Sequence, residues 1–266
     1  MSKKELLEKK CIASFRQRWD NWRMLLETLV EEPSGRFICP TSRELKFLPQ
    51  KHVRSIQVKL PYPICMYGIP MKLNSKNSEK IAIFIDGDFE LEQNKEENLR
   101  RVKSSIAYYK VTGKSTFKLS LLDAYHFDFY DSSPNGHAPH PVFHAQRDIR
   151  LGEAETRFTE ALQSAPVSEG VTLTRTKDSD KAKMFQLGNL RIPTPQMDIF
   201  NLGAVVAADQ LVGHDSDSRW GHFQKLLEII HGKNGDAHLI KVPDQHNAKI
   251  YVRPRKNVAD WYLARI

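Results

Sequence analysis

Cysteine is scarce in this sequence, and no stretch has the features of a disulfide framework, a membrane span or a signal peptide. The chain has 3 cysteines among 266 residues, without a C-x-x-C pair, so we expect reduced thiols. Its apolar runs stay well short of the roughly 18 residues that a membrane helix needs. The first residues, Met-Ser-Lys-Lys-Glu-Leu-Leu-Glu-Lys-Lys, lack the apolar centre of a signal peptide. We therefore expect a cytoplasmic protein that has no membrane partner.

Three motifs of nucleotide and ester chemistry are also missing. The sequence contains no G-x-x-x-x-G-K-[ST] loop, no G-x-G-x-x-G fingerprint and no G-x-S-x-G elbow. Nucleotide hydrolysis by a P-loop and esterase chemistry are therefore disfavoured, and an active site must come from other side chains.

Positive charge, in contrast, is in excess. The formal net charge is +8 and the pI is about 9.3, which permits association with nucleic acid without requiring it. Each basic cluster, taken singly, is explained as ordinary solvated surface. The more specific hypothesis is that the clusters together form one phosphate-binding face. Six residues are its candidates: Arg100, Arg101, Lys103, Arg253, Arg255 and Lys256.

The N-terminal segment, residues 1–35, is predicted to be an amphipathic helix. Its large apolar residues recur at alternating spacings of three and four, which is typical of a helix that buries one stripe. The stripe packs either on the core of its own chain or on a partner, which is another protein or a second copy. The residues proposed for partner docking are Phe15, Trp19, Trp22 and Leu26.

Residues 36–266 are predicted to form a single α+β domain. Apolar and alternating runs over 36–150 predict a curved antiparallel sheet, whereas 151–232 are mainly helical and 237–253 form short strands. Helices from the N-terminal and C-terminal parts of the chain are expected to flank the sheet and cover its apolar face.

Local sequence features add three predictions. Thr194 suits a helix N-cap and Pro195 the first helical position, so a helix is expected to begin there. The charged stretch 94–103 favours a short helix, and the polar stretch 166–190 favours a loop.

The densest group of metal-binding and proton-transferring side chains lies in residues 123–146. Strand alternation puts His126 and Asp128 on one face, about 7 Å apart. The other face carries Phe117, Leu119, Leu121, Tyr125, Phe127 and Phe129. If the following segment pairs antiparallel with this strand, half of the possible registers bring His144 and Gln146 to the face of His126 and Asp128.

This group allows three interpretations. The first is a divalent metal site, for zinc or manganese, with His126, Asp128, His140 and His144 as ligands. The second is a metal-free acid–base centre, as in nucleases that cleave RNA through its 2′-hydroxyl, with His126, Asp128 and His144 as catalytic residues. The third is a structural network of buried polar residues.

The stretch Ile81-Ala-Ile-Phe-Ile-Asp-Gly-Asp88 resembles the first strand of PIN/NYN-type nucleases. In that family an aspartate at the end of the strand binds a catalytic divalent ion, and the resemblance implies this role for Asp86 and Asp88. The sequence departs from the family because Phe89-Glu-Leu-Glu92 looks extended where a helix is usual. The alternative is a β-hairpin that turns at Asp86-Gly87.

Two signatures, His-Phe-Asp-Phe…His-Pro-Val-Phe-His-Ala-Gln and Arg-Ile-Pro-Thr-Pro-Gln-Met-Asp, resemble those of uncharacterised bacterial proteins encoded in mobile or defence loci. That resemblance implies no established activity. Together with the basic charge, the sequence favours a nucleic-acid-associated protein: a small metal-dependent or histidine-based nuclease, or a toxin-like effector of a bacterial defence-type system. The alternative is a non-catalytic structural or adaptor subunit of a multiprotein defence complex.

Overall fold

An open sheet with helices against one face makes up the described part of the protein. This computed structural model describes residues 3–31, 35–50, 55–70, 79–92, 99–112, 117–130, 143–147, 156–158, 171–174, 192–193, 197–212 and 218–231. The sheet is antiparallel apart from one strand, and helices from both ends of the described chain flank it. The predicted α+β fold class is confirmed.

The order of the described elements is one helix, ten strands and then two helices. The helices are α1 (Lys3–Glu31), α2 (Ile199–Val206), which continues as a π-helical segment (Ala207–Leu211), and α3 (Arg219–His231). The strands are β1 (Arg36–Ile38), β2 (Lys46–Gln50), β3 (Ser55–Lys59), β4 (Ile64–Pro70), β5 (Lys80–Glu92), β6 (Leu99–Thr112), β7 (Phe117–Tyr130), β8 (Phe143–Arg147), β9 (Val171–Thr174) and β10 (Ile192–Pro193).

Three long strands, β5, β6 and β7, form the middle of the sheet. The outer edge of β5 and the outer edge of β7 each pair with two shorter strands. On one side, β3 pairs with the second half of β5 and β4 with the first half. Pro61 and Pro63 separate β3 from β4, because proline cannot donate to a strand ladder. On the other side, β8 pairs with the second half of β7, and β9 pairs in parallel with its beginning. The two halves of the sheet therefore have different neighbours.

The helices bury their apolar side chains on one face of the sheet, called here the helix face. Phe15 of α1 lies against Phe89 of β5 and Phe200 of α2, with ring centroids 5.6 and 5.7 Å apart. Trp19 also contacts Phe200, and its indole N–H donates to the Pro40 carbonyl at 2.7 Å. Each of these buried rings contributes roughly 1.5–3 kcal/mol of gross transfer free energy.

This packing covers the apolar stripe of the N-terminal helix. Phe15, Trp19, Trp22 and Leu26 are all at 0% relative exposure, buried by other parts of the same chain. The expectation that these four residues dock a partner is therefore corrected, because the stripe is part of the protein's own core. Helix α1 shares that core with the sheet, α2 and α3.

Helix α2 begins later than its sequence suggests. Asp198 is the N-cap, and its buried carboxylate accepts from the backbone N–H and the side-chain amide of Asn201, both at 3.0 Å. Met197 and Asp198 are not helical, so the predicted start at Thr194 and Pro195 is wrong. An aspartate that satisfies a free N–H of the first turn is as good a cap as threonine, and here it is also buried.

Two other segments differ from their local prediction. Residues 99–112 form β6 instead of extending a charged helix, because hydrogen bonding to β5 and β7 on both sides overrides helix propensity. The stretch predicted as a loop contains β9. The predicted strands in 237–253 lie outside the described residues. None of the helices that the structure describes has the length and apolarity of a membrane span.

Candidate functional site

The face of the sheet opposite the helices, called here the second face, has an apolar half and a polar half. The apolar half centres on Phe84, Ala107 and Tyr109, and Phe158 stacks on Phe84 with ring centroids 4.7 Å apart. The polar half begins two residues further along β5, at Asp86, and is called the polar half-face below. It extends from β2 to β8.

One row of directly opposed residues crosses the polar half-face. Each member is the cross-strand partner of the next, and neighbouring strands lie about 4.8 Å apart, so the row is about 24 Å long. We call it the charged row, and it consists of Lys46, Lys59, Asp88, Lys103, Asp128 and His144.

A second row, the inner row, lies between the charged row and the apolar half. Its members are Asp86, Ser105, His126 and Gln146. Asp86 is buried and the other three are half-buried. The rise along a strand separates the two rows by about 7 Å, which is two residues. An imidazole in the inner row is therefore close to the charged row.

The β7–β8 register brings four residues of the sequence-predicted group to adjacent positions. Asp128 is opposite His144, and His126 is opposite Gln146. This is one of the registers in which all four belong to the same face. Their Cα positions form a two-by-two group, called here the quartet, with sides of about 5 and 7 Å. The neighbouring Phe127 packs into the core of the helix face, as alternation predicts.

A β-bulge in β7 changes which of its residues lie on the second face. The register with β6 shifts at Leu122, between Leu121 and Asp123. Before the bulge, Leu119 and Leu121 pack into the apolar half of the second face, whereas after it Phe127 packs on the helix face. The prediction that these alternating residues share one face is therefore wrong, because one extra residue reverses the alternation.

Asp86 lies in the middle of a strand, not at its end. Strand β5 continues from Asp86 to Glu92, so neither the strand tip implied by the PIN/NYN resemblance nor a hairpin at Asp86-Gly87 is present. A Cβ atom at Gly87 would come within 2.3 Å of the Lys103 carbonyl oxygen. The glycine therefore lets β5 and β6 approach closely and stay paired between Asp86 and Asp88.

The Asp86 carboxylate is engaged at the border of the two halves. Arg157 Nη2 lies 3.0 Å from Asp86 Oδ1 and donates to the Leu60 carbonyl at 3.0 Å, and the Gly87 N–H donates to the same Oδ1 at 2.8 Å. Burial raises the pKa of Asp86, and Arg157 and the Gly87 N–H only partly oppose the rise. Asp86 therefore takes up a proton more readily than a surface aspartate.

Two further carboxylates of the polar half-face have neutral hydrogen-bond donors as partners. Gln57 Nε2 donates to Asp88 Oδ2 at 3.0 Å, and Ser55 Oγ donates to Glu90 Oε1 at 2.7 Å. The ion pairs within the described part of the chain are made by other cations. In that part, the lysines of the charged row therefore have no protein counter-ion within 4.0 Å.

The basic residues predicted to bind nucleic acid fall into two groups. Arg101 and Lys103 of β6 occupy positions opposite Glu90 and Asp88, and Lys103 is exposed. Arg100 is the extra residue at a register shift between β5 and β6. The side chains of Arg100 and Arg101 lie outside the described set, as do His140, Arg253, Arg255 and Lys256 altogether.

The metal prediction is only partly covered by the described side chains. Among those side chains, no group of three or more His, Cys, Asp or Glu residues could hold a metal ion. Within the quartet, only His126 and Gln146 have described side chains. By residue type, its two imidazoles and one carboxylate are donors that zinc and manganese accept, so the metal site stays a prediction.

Three cations of this site are not among the residues predicted from the sequence: Lys46, Lys59 and Arg157. A signal exists for the two lysines, because Lys59 follows the buried Val58 and Lys46 precedes the core-packed Phe47, as expected for the polar side of a strand. Their meeting depends on strand pairing, which alternation does not reveal. No local pattern marks Arg157.

No protein-family model, no curated protein and no solved structure matches this chain. Function is therefore inferred from the residue types of the polar half-face and from their register in the sheet.

Proposed function

We propose that the polar half-face is the site of a nucleic-acid phosphodiesterase, a nuclease of a bacterial defence-type system that works in the cytoplasm. One observation carries the proposal: in the β7–β8 register, His126 and Asp128 are the direct partners of Gln146 and His144. Two imidazoles and a carboxylate beside a row of lysines combine proton transfer with phosphate binding.

Three members of the quartet have a proposed role that suits their chemistry. His126, half-buried in the inner row, is the proposed general base, because imidazole gains and loses a proton near neutral pH. Asp128, two residues along the same strand, is its proposed electrostatic partner. His144 is the proposed general acid that protonates the leaving oxygen.

The same residues suit a divalent cation, zinc or manganese. His126, Asp128 and His144 would hold it, which is a two-histidine, one-carboxylate donor set. Such a cation supplies Lewis acidity toward a phosphate oxygen when it is bound. The metal-dependent and the metal-free versions of the proposal use the same side chains and differ in their response to chelation.

The test is a cleavage assay with the full chain. End-labelled single-stranded and duplex RNA and DNA are incubated with EDTA, with Zn²⁺ or with Mn²⁺. We expect cleavage that is lost in His126→Ala, Asp128→Asn and His144→Ala while their melting temperatures stay near that of the parent. His222→Ala is the matched control, since His222 lies on α3 at the opposite face of the sheet.

The outcomes separate the versions. Activity abolished by EDTA and restored by one metal supports the metal site, whereas EDTA-resistant cleavage of RNA alone supports the acid–base centre. If no substrate is cleaved under any condition, the enzyme proposal fails. A large fall in melting temperature for the three variants, without loss of activity per folded molecule, would assign the quartet to a structural network.

A further inference from the structure

The lysines of the charged row are arranged in a way that folding alone does not favour. Lys46 of β2 and Lys59 of β3 are direct cross-strand partners, and like charges in that position destabilise a sheet. Lys103 continues the row beyond Asp88. Asp88 separates Lys59 from Lys103 in the row and Asp128 is the next partner of Lys103, and the ion pairs among the described residues involve none of the three lysines.

Among the described side chains, the nearby carboxylates form no ion pair with these lysines. Asp88 accepts a hydrogen bond from Gln57 at 3.0 Å, and Asp86 is held by Arg157 at 3.0 Å. Lys46 and Lys103 are exposed to solvent. An anion from solution is the partner that this arrangement lacks, and a phosphate that bridges Lys46 and Lys59 would turn their repulsion into attraction.

We infer that Lys46, Lys59 and Lys103 form a phosphate track for single-stranded nucleic acid, which crosses the strands of the sheet and ends at the quartet. The inference rests on the proposed function, because it names the substrate of that site. Lys46 and Lys59 are about 5 Å apart along the row, and Lys103 lies about 10 Å beyond Lys59. The track therefore contacts phosphates of more than one nucleotide.

The carboxylates that flank the charged row favour a single strand over a duplex. Asp86 lies on one side of the row, and Glu90 lies on the other, each about 7 Å from Asp88 by strand rise. A single phosphate chain follows the lysines between them. The second chain of a duplex would be repelled on the Glu90 side, where the carboxylate accepts from the neutral Ser55 hydroxyl, whereas Asp86 on the other side is paired with Arg157.

Binding of a fluorescein-labelled 12-nucleotide single strand, compared with a duplex of the same length, tests the track between 50 and 200 mM salt. Each lost phosphate contact lowers the salt slope of single-strand binding by about 0.7. The triple variant Lys46→Gln, Lys59→Gln, Lys103→Gln should therefore lose about 2 units of slope. The matched control is Lys9→Gln, Lys10→Gln, Lys225→Gln, which removes the same charge from exposed lysines of α1 and α3 and should keep its slope.

A measurement without nucleic acid checks the repulsion itself. Lys46→Gln alone should raise the melting temperature at low salt, and Lys225→Gln should leave it unchanged, because only Lys46 has a lysine directly opposite. Equal losses of slope in the two triple variants, or tighter binding of the duplex than of the single strand, would overturn the inference. Binding that follows the track, in a protein that cleaves nothing, would refute the enzyme proposal and leave the track intact.

Discussion

Replacement of Gly203 by alanine should destabilise the protein, although alanine is the better helix former. Gly203 lies in α2, where a Cβ atom would come within 2.4 Å of Cζ2 of Trp22 and 3.2 Å of Cδ2 of Leu26. Both neighbours are fully buried, so the indole ring has no solvent space into which it could move. The close approach of α1 and α2 depends on the missing side chain.

Two effects of opposite sign decide the size of the change. In a helix interior, alanine is favoured over glycine by about 1 kcal/mol. Overpacking a dense core costs about 1–3 kcal/mol, occasionally more, and a rigid ring at so short a distance belongs near the upper end. We expect a net loss of about 1–2 kcal/mol in the free energy of unfolding, or a fall of roughly 2–8 °C in Tm.

Urea and thermal denaturation followed by circular dichroism measure this difference. Gly221→Ala in α3 is the matched control, because a Cβ atom there meets nothing within 4 Å. Helix propensity acts alone at that position, so the control should be stabilised by up to about 1 kcal/mol. The two glycine variants are thus expected to change stability in opposite directions.

A double variant isolates the contact with the indole. Trp22→Phe removes the Cζ2 atom, and the Trp22 indole nitrogen has no hydrogen-bond partner among the described residues, so no hydrogen bond is lost there. Gly203→Ala should cost less in the Trp22→Phe background than in the parent. A Gly203→Ala protein more stable than the parent would refute the reasoning, since it would mean that α1 and α2 are not in close contact there.

The remaining predictions concern the N-terminal helix, Asp86 and Cys65. A protein that lacks residues 1–30 should show no cooperative thermal transition, because α1 supplies Trp19 and other fully buried rings of the core; a folded truncated protein would contradict this packing. Burial raises the pKa of Asp86, so the folded state binds the Asp86 proton more tightly than the unfolded state does. The contribution of Asp86 to stability therefore falls as the pH rises from the ordinary aspartate pKa through the pKa of the folded state. Asp86→Asn should flatten that part of a urea-denaturation profile against pH, and an unaltered profile would count against the assignment. Burial also raises the pKa of the Cys65 thiol, so a thiol reagent should label Cys65 far more slowly in the native protein than in urea.

Elements with a long, regular apolar pattern could be predicted from the sequence. The spacing of Phe15, Trp19 and Trp22 gives α1, because a helix buries a stripe whether the cover is its own chain or a partner. The same spacing does not identify the cover, and the contacts with Phe200 do. Sequence periodicity describes one surface of an interface, and the other surface comes from distant parts of the chain.

The candidate site could be predicted within one strand and not between strands. Alternation relates His126 to Asp128, but their relation to His144 depends on the β7–β8 register, and a slip of one residue would reverse it. Asp86-Gly87-Asp88 has turn-forming residues, yet pairing with β6 along its whole length keeps it extended. The meeting of Lys46 with Lys59 likewise requires knowledge of which strands are neighbours.

One edge of β7 pairs with two short strands, β8 and β9, and this affects how the quartet responds to a ligand. His126 and Asp128 belong to a strand of 14 residues, whereas His144 and Gln146 belong to β8, a strand of five residues that pairs with β7 and with the two-residue β10. Amide hydrogen exchange should therefore be slower in β7 than in β8, because fewer bonds must open to release the shorter strand. A ligand that bridges the two strands binds only while β8 is paired, so it adds its own binding free energy to the cost of detaching β8. Protection of the β8 amides would then rise with ligand concentration, and the exchange rate of this one strand would serve as a titration of the site.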